Sequence, residues 1–118
     1  MAKFEIYHNP RCSKSRNTLK LLEENGVEPD VRLYLDTPPN AKELKAILKL
    51  LGIGARELLR KGEDEYQDLK LADKSLSEAK LIDAMTKHPR LIERPIVIRD
   101  GKAAKIGRPP ENALELVI

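Results

Sequence analysis

Two short apolar segments with a helix-period segment between them constrain this chain more than any other feature. Lys3 to Tyr7 carries Phe4, Ile6 and Tyr7 and is ended by Asn9-Pro10, the pattern of a strand stopping at a turn. From Ser13 to Asn25, Leu19, Leu21 and Leu22 recur among lysines and glutamates before Gly26, which predicts a helix and its stop. Val31 to Leu35 (V-R-L-Y-L) then alternates with period two and reads as a second strand. Strand, helix and strand within about 35 residues make a βαβ unit, whose two strands run parallel.

The rest of the chain fits a second half to that unit. Asn40 with Glu43 three residues on predicts a capped helix start, and Leu44, Ile47, Leu48 and Leu51 form its apolar stripe up to Gly52. Further helical pieces are expected at Ala55 to Arg60 and Ser77 to Lys87, with Ser75 and Glu78 as the capping pair of the latter. After His88-Pro89 the period returns to two: Pro95 to Ile98 and Ala103 to Ile106 flank Asp100-Gly101, a hairpin signal. Gly107-Arg108-Pro109-Pro110 opens a last helix ending near Val117. The order is the plan of an α/β, thioredoxin-like fold with a helical insertion between the βαβ and ββα halves. We expect one domain over residues 1–118, with the insert at about 40–90.

Composition limits the function classes. The 22 basic and 19 acidic side chains leave a net charge of only +3, and the two signs are interspersed, so no nucleic-acid partner is expected. No apolar run approaches the roughly 18 residues of a membrane span, and the start has no long apolar region, which predicts a soluble, cytoplasmic protein without a membrane partner. There is one cysteine, Cys12, so an internal disulfide is excluded and any redox cycle must borrow a second thiol from another molecule.

Cys12 lies where the first strand hands over to the first helix. There, unpaired backbone N–H groups and the positive end of the helix dipole favour an anion, and Arg11, Lys14 and Arg16 add positive charge. A thiol so placed has its pKa lowered from about 8.5, giving a reactive thiolate. The same geometry binds oxyanions. A nucleophile and an anion cradle in one place point to attack of sulfur on a bound oxyanion, or to exchange with a disulfide.

Spacing removes several alternatives. A tyrosine-phosphatase loop needs arginine where this chain has Thr18, and a Walker loop needs glycines that are missing here. The second position of a redox Cys-x-x-Cys holds Ser15, whose hydroxyl is expected to donate to the Cys12 thiolate. His8 and Cys12 alone make a poor ligand set, so no metal is expected, and His8 is read as a neighbour that tunes the thiolate or the anion. His88 is read as a partner of a helix C-terminus.

Four stretches together resemble the glutaredoxin-linked arsenate reductase (ArsC) family, and within it the arsenate-reductase-related branch. They are His8-Asn9-Pro10 with Cys12 and Ser15-Arg16-Asn17-Thr18-Leu19; Leu58-Leu59-Arg60-Lys61 with Tyr66; Leu91 to Val97; and Arg108-Pro109 before the terminal Leu-Glu-Leu. The resemblance implies that Cys12 attacks arsenate to form a thiol-bound adduct. Glutathione, as co-substrate, then displaces oxygen, glutaredoxin removes the glutathione, and arsenite leaves; no bound cofactor is implied. It also implies that Arg60, Arg94 and Arg108 bind the anion and that Pro95 is a cis-proline beside the cysteine; His8, Ser15 and Arg16 are read as neighbours that surround the cysteine and the anion. Ser13-Lys14 stand where the family commonly has Gly-Thr, and Arg11 where a small residue is usual. Two other activities share the fold: a redox-sensing regulator that binds RNA polymerase, of the Spx type, and a monothiol glutathione-dependent thiol transferase.

Overall fold

A computed structural model describes residues 2–117. The chain forms two compact units: one runs to Thr37 and resumes at Arg94, the other is Pro38–Glu93.

The first unit is a four-stranded sheet. Its strands are β1 (Phe4–Tyr7), β2 (Asp30–Arg32), β3 (Ile96–Arg99) and β4 (Ala103–Ile106), in the order β2-β1-β3-β4. β1 pairs in parallel with β2, Ile6 facing Val31, as the βαβ reading requires. It pairs antiparallel with β3, Ile6 facing Val97, and β3 pairs antiparallel with β4. The hairpin turns at Asp100-Gly101, both at positive φ (55° and 65°), the left-handed conformation that this dipeptide accepts. Helix α1 (Ser13–Glu24) connects β1 to β2, and a 3-10 helix, Pro110–Leu116, follows β4. Phe4, Ile6, Leu22, Val97, Ala113 and Leu116 form the core of this unit, joining sheet, α1 and terminal segment. This is the expected α/β, thioredoxin-like arrangement.

The second unit is helical: α2 (Ala41–Leu51), α3 (Ala55–Leu58), α4 (Asp64–Asp68), α5 (Glu78–Lys87) and a 3-10 turn, Pro89–Leu91. The Asn40 capping box forms as read: Asn40 Oδ1 accepts from Glu43 N–H at 2.8 Å, and Glu43 Oε1 from Asn40 N–H at 3.0 Å. Leu44, Ile47 and Leu48 bury the stripe of α2, which packs on α5. No helix among the described residues is long and apolar enough to cross a membrane.

Four local expectations need correction. The second strand ends at Arg32, because Asp36 and Thr37 N–H both bond to Leu33 O and curl the chain away from the sheet. Ser75 does not cap α5: its hydroxyl bonds Asp73 at 2.7 Å, while Ser77 Oγ accepts from Lys80 N–H at 3.2 Å. The helix at Ala55 stops at Leu58, since Leu59 bridges to Ile92 in extended conformation. The terminal segment winds as a 3-10 helix from Pro110 to Leu116.

Candidate active site

The loop from His8 to Cys12 turns β1 into α1 through one bond to the neighbouring strand and several within the loop. His8 N–H donates to Arg32 O at 2.9 Å, which anchors the loop to β2. Asn9 Oδ1 accepts from Arg11 N–H at 3.0 Å, an Asx turn, and Asn9 O accepts from Cys12 N–H at 3.0 Å. Cys12 is therefore delivered in extended conformation (φ −96°, ψ 121°) as the N-cap of α1, and its carbonyl accepts from Arg16 N–H at 3.0 Å. A thiol makes no side-chain capping bond here, so the first-turn N–H groups face the sulfur or an anion.

Cys12 is partly exposed, and its pKa is held below the ordinary thiol value. Burial by itself pushes it up. The N–H of Ser15, a hydrogen bond and the positive charge from the Arg94 guanidinium, and the N–H of Lys14 outweigh that push. No acidic side chain sits in the first turn of α1 to oppose them.

The Ser15 hydroxyl does not perform the expected donation to the thiolate. It is fully buried behind the loop, where Oγ accepts from Asn9 N–H at 3.0 Å and lies 2.6 Å from His8 Nδ1. Ser15 reaches the cysteine through its backbone N–H instead. His8 is buried, and its pKa is lowered by that burial and then by the charge of Arg16, so it is a neutral imidazole at pH 7. Arg16 itself clasps the loop, with Nη1 donating to Pro10 O at 2.8 Å. Arg11 and Lys14 are exposed.

Arg94 and Arg108 come from the two ends of the β hairpin. The Arg94-Pro95 bond is cis, and so is Arg108-Pro109, which the sequence reading did not anticipate. Arg108 Nη1 donates to Arg94 O at 3.3 Å, so the two arginine segments are tied together. Gly107 N–H donates to Pro95 O at 2.9 Å, and the Thr18 hydroxyl lies 3.1 Å from Gly107 O and 2.8 Å from Lys14 O. A Cβ on Gly107 would stand 2.6 Å from Thr18 Oγ1 and 2.9 Å from Pro95 Cγ. Only glycine lets α1 and the cis-proline turn approach the end of β4 this closely. The sequence reading missed Gly107 and Thr18; the signal available was a glycine directly before Arg-Pro-Pro.

Cys12, His8, Ser15, Arg16, Arg94, Pro95 and Arg108 thus all belong to the first unit. Arg60 belongs to the second, immediately after the Leu59 bridge, with its N–H on Leu91 O at 2.7 Å. Its Nε bonds Glu63 at 3.2 Å and its Nη1 bonds Glu93 at 2.6 Å. Burial lowers its pKa, but these two carboxylates, Glu93 foremost, hold it above the ordinary value. His88 is the C-cap residue of α5, through its backbone N–H on Ala84 O. Among the described residues no group of three or more His, Cys, Asp and Glu side chains is arranged to hold a metal.

Residues 7–116 match the model of the ArsC family. The chain is 63% identical to the uncharacterized protein YfgD of Escherichia coli (strain K12), over 96% of this chain and 95% of that one. It is 50% identical to the arsenate reductase of Haemophilus influenzae, over 95% and 97%. Among solved structures, the arsenate reductase from Vibrio cholerae superposes with a TM-score of 0.93 at 50% identity, covering 97% of each chain.

Proposed function

This chain belongs to the ArsC family, and we propose that it reduces arsenate to arsenite through a covalent adduct on Cys12, with glutathione and glutaredoxin as electron donors. The observation that carries the reading is the convergence on one sulfur of two first-turn N–H groups and the Arg94 guanidinium, which hold the Cys12 pKa below the ordinary thiol value and so favour its thiolate. The names of the relatives from Haemophilus influenzae and Vibrio cholerae supply the substrate.

The chemistry follows from one nucleophile and borrowed thiols. The Cys12 thiolate forms an S–As bond to bound arsenate, and one arsenate oxygen leaves as water after protonation; arsenic is still As(V). Glutathione then displaces a second oxygen as water, placing its sulfur on arsenic. The glutaredoxin thiolate attacks that glutathione sulfur, an S–S bond forms, and the electron pair of the broken S–As bond reduces arsenic to As(III). Water releases arsenite from Cys12 and regenerates the thiol. The two electrons come from the two borrowed thiols, so a chain with one cysteine suffices and no resident cofactor is required.

Arg94 and Arg108 are the proposed oxyanion ligands of the hairpin, as guanidinium forks match tetrahedral oxyanions. Arg60 is proposed as an anion ligand on the family pattern alone. Neutral His8 and the Ser15 hydroxyl hold the loop, and Arg16 secures it from outside. The reducing thiol pool that this cycle consumes is that of the cytoplasm, where we place the protein.

The test is arsenite release by Cys12→Ser in the presence of both thiols. Activity should be lost while the thermal unfolding midpoint stays near that of the parent, because Cys12 is only partly buried and serine is a favoured N-cap residue. Turnover equal to the parent's would sink the reading.

A further inference from the structure

The exposed side of α1 next to Cys12 forms a groove that the adduct chemistry does not use. Lys14, Asn17, Lys20, Leu21 and Glu24 line one wall, and Pro109, Pro110 and Glu111 line the other, around a volume of about 440 Å³. Positions 14, 17, 21 and 24 follow helical spacing, so they share one face of α1. Lys14 is the second residue of the helix and its N–H supports the thiolate, so the groove opens within one helical turn of the sulfur. It then runs about 15 Å along α1 to Glu24.

The lining has an unusual balance. It carries two ammonium groups, two carboxylates and one carboxamide, and none of these five side chains bonds to another group among the described residues. The charged lining comes from both segments: Lys14, Lys20 and Glu24 from α1, and Glu111 from the terminal segment. A purely anionic ligand would meet Glu24 and Glu111, and a cationic one would meet Lys14 and Lys20. A zwitterion satisfies both.

We propose that this groove is the subsite for the small peptide thiol, and that it takes the γ-glutamyl arm of glutathione. The ammonium of that arm pairs with Glu111 and its α-carboxylate with Lys20 and Asn17, while the cysteinyl sulfur lies at the mouth beside Cys12. Lys14, which stands where the family commonly has threonine, then has a function: it adds positive charge where a thiolate must approach. This subsite rests on the reading that glutathione is the co-substrate, so its test leaves arsenate out.

The probe is glutathione disulfide. The Cys12 thiolate attacks one of its sulfurs, the S–S bond breaks, a Cys12–glutathione disulfide forms, and one glutathione leaves as a thiolate that takes up a proton. The rate of that mass gain is compared with the rate for bis(2-hydroxyethyl) disulfide, which has no charged arms. The expected result is that Glu111→Gln slows glutathione transfer about threefold and Glu111→Lys about tenfold, with Lys20→Glu also slowing it, while the uncharged disulfide reacts at the parental rate in every variant. Equal slowing of both disulfides, or no slowing of either, overturns the subsite. Failure of the parent protein to form arsenite with glutathione and glutaredoxin would instead remove the co-substrate reading itself, whatever the disulfide rates.

Discussion

Replacing Gly107 with alanine probes the point where α1, the cis-proline turn and the end of β4 meet. The new Cβ would stand 2.6 Å from Thr18 Oγ1, 2.7 Å from Thr18 Cγ2 and 2.9 Å from Pro95 Cγ. Real Cβ contacts of this kind are essentially never under 3.0 Å, so something must shift. Thr18 is fully buried, and its hydroxyl lies against Lys14 O and Gly107 O, so rotation away from the new methyl would break that placement. Pro95 is a ring with nowhere to turn. Overpacking at such a site costs about 1–3 kcal/mol, and losing the buried hydroxyl contact adds about 1 kcal/mol. A domain of this size loses about 3–6 °C in Tm per kcal/mol, so the expected fall is about 6–24 °C by circular dichroism. The companion variant Thr18→Ala removes two of the three clashing atoms. The double variant Gly107→Ala/Thr18→Ala should therefore be less destabilised than the sum of the two single changes, by about 1 kcal/mol or more. An unaltered Tm in Gly107→Ala, or strict additivity in the double variant, would refute the close approach.

Two further changes separate the groups around Cys12. Ser15→Ala leaves the Asn9 N–H and His8 Nδ1 buried without their shared partner and should cost about 2–3 kcal/mol in urea unfolding. The pH midpoint of Cys12 alkylation by iodoacetamide should not move, because the sulfur is held by the Ser15 backbone N–H; a clear upward move would assign the hydroxyl to the thiolate after all. Arg94→Ala removes both a hydrogen bond and a positive charge from the sulfur, so the thiol pKa rises and alkylation slows several-fold near neutral pH. The difference should vanish at high pH, where both proteins are fully thiolate; superimposable pH profiles would show that Arg94 does not stabilise the anion.

The parts of this protein that local sequence controls were legible, and the parts set by tertiary contacts were not. The Asn40-Glu43 capping box and the Asp100-Gly101 turn formed as read, because each is a bond or conformation confined to a few residues. V-R-L-Y-L alternates and so predicts a longer second strand than forms, since Val31 and Leu33 are exposed and Tyr34 is the fully buried residue. A three-residue edge strand buries too little for alternation to report its inner face. Cys12 at a helix start could be placed from spacing alone. Ser15 could be placed near it, but not which of its two donors faces the sulfur, since that depends on His8 and Asn9 lying behind the loop. Arg60 has Glu63 three residues on, but its stronger partner, Glu93, is brought to it by the Leu59 bridge to Ile92, which nothing local announces.

The central claim, a single thiolate that reduces arsenate with two borrowed thiols, is tested most directly by arsenite formation in four mixtures: complete, lacking glutathione, lacking glutaredoxin, and lacking the protein. Sustained turnover only in the complete mixture is the expected result. Equal rates with and without the protein, or full turnover when either thiol is left out, would contradict it.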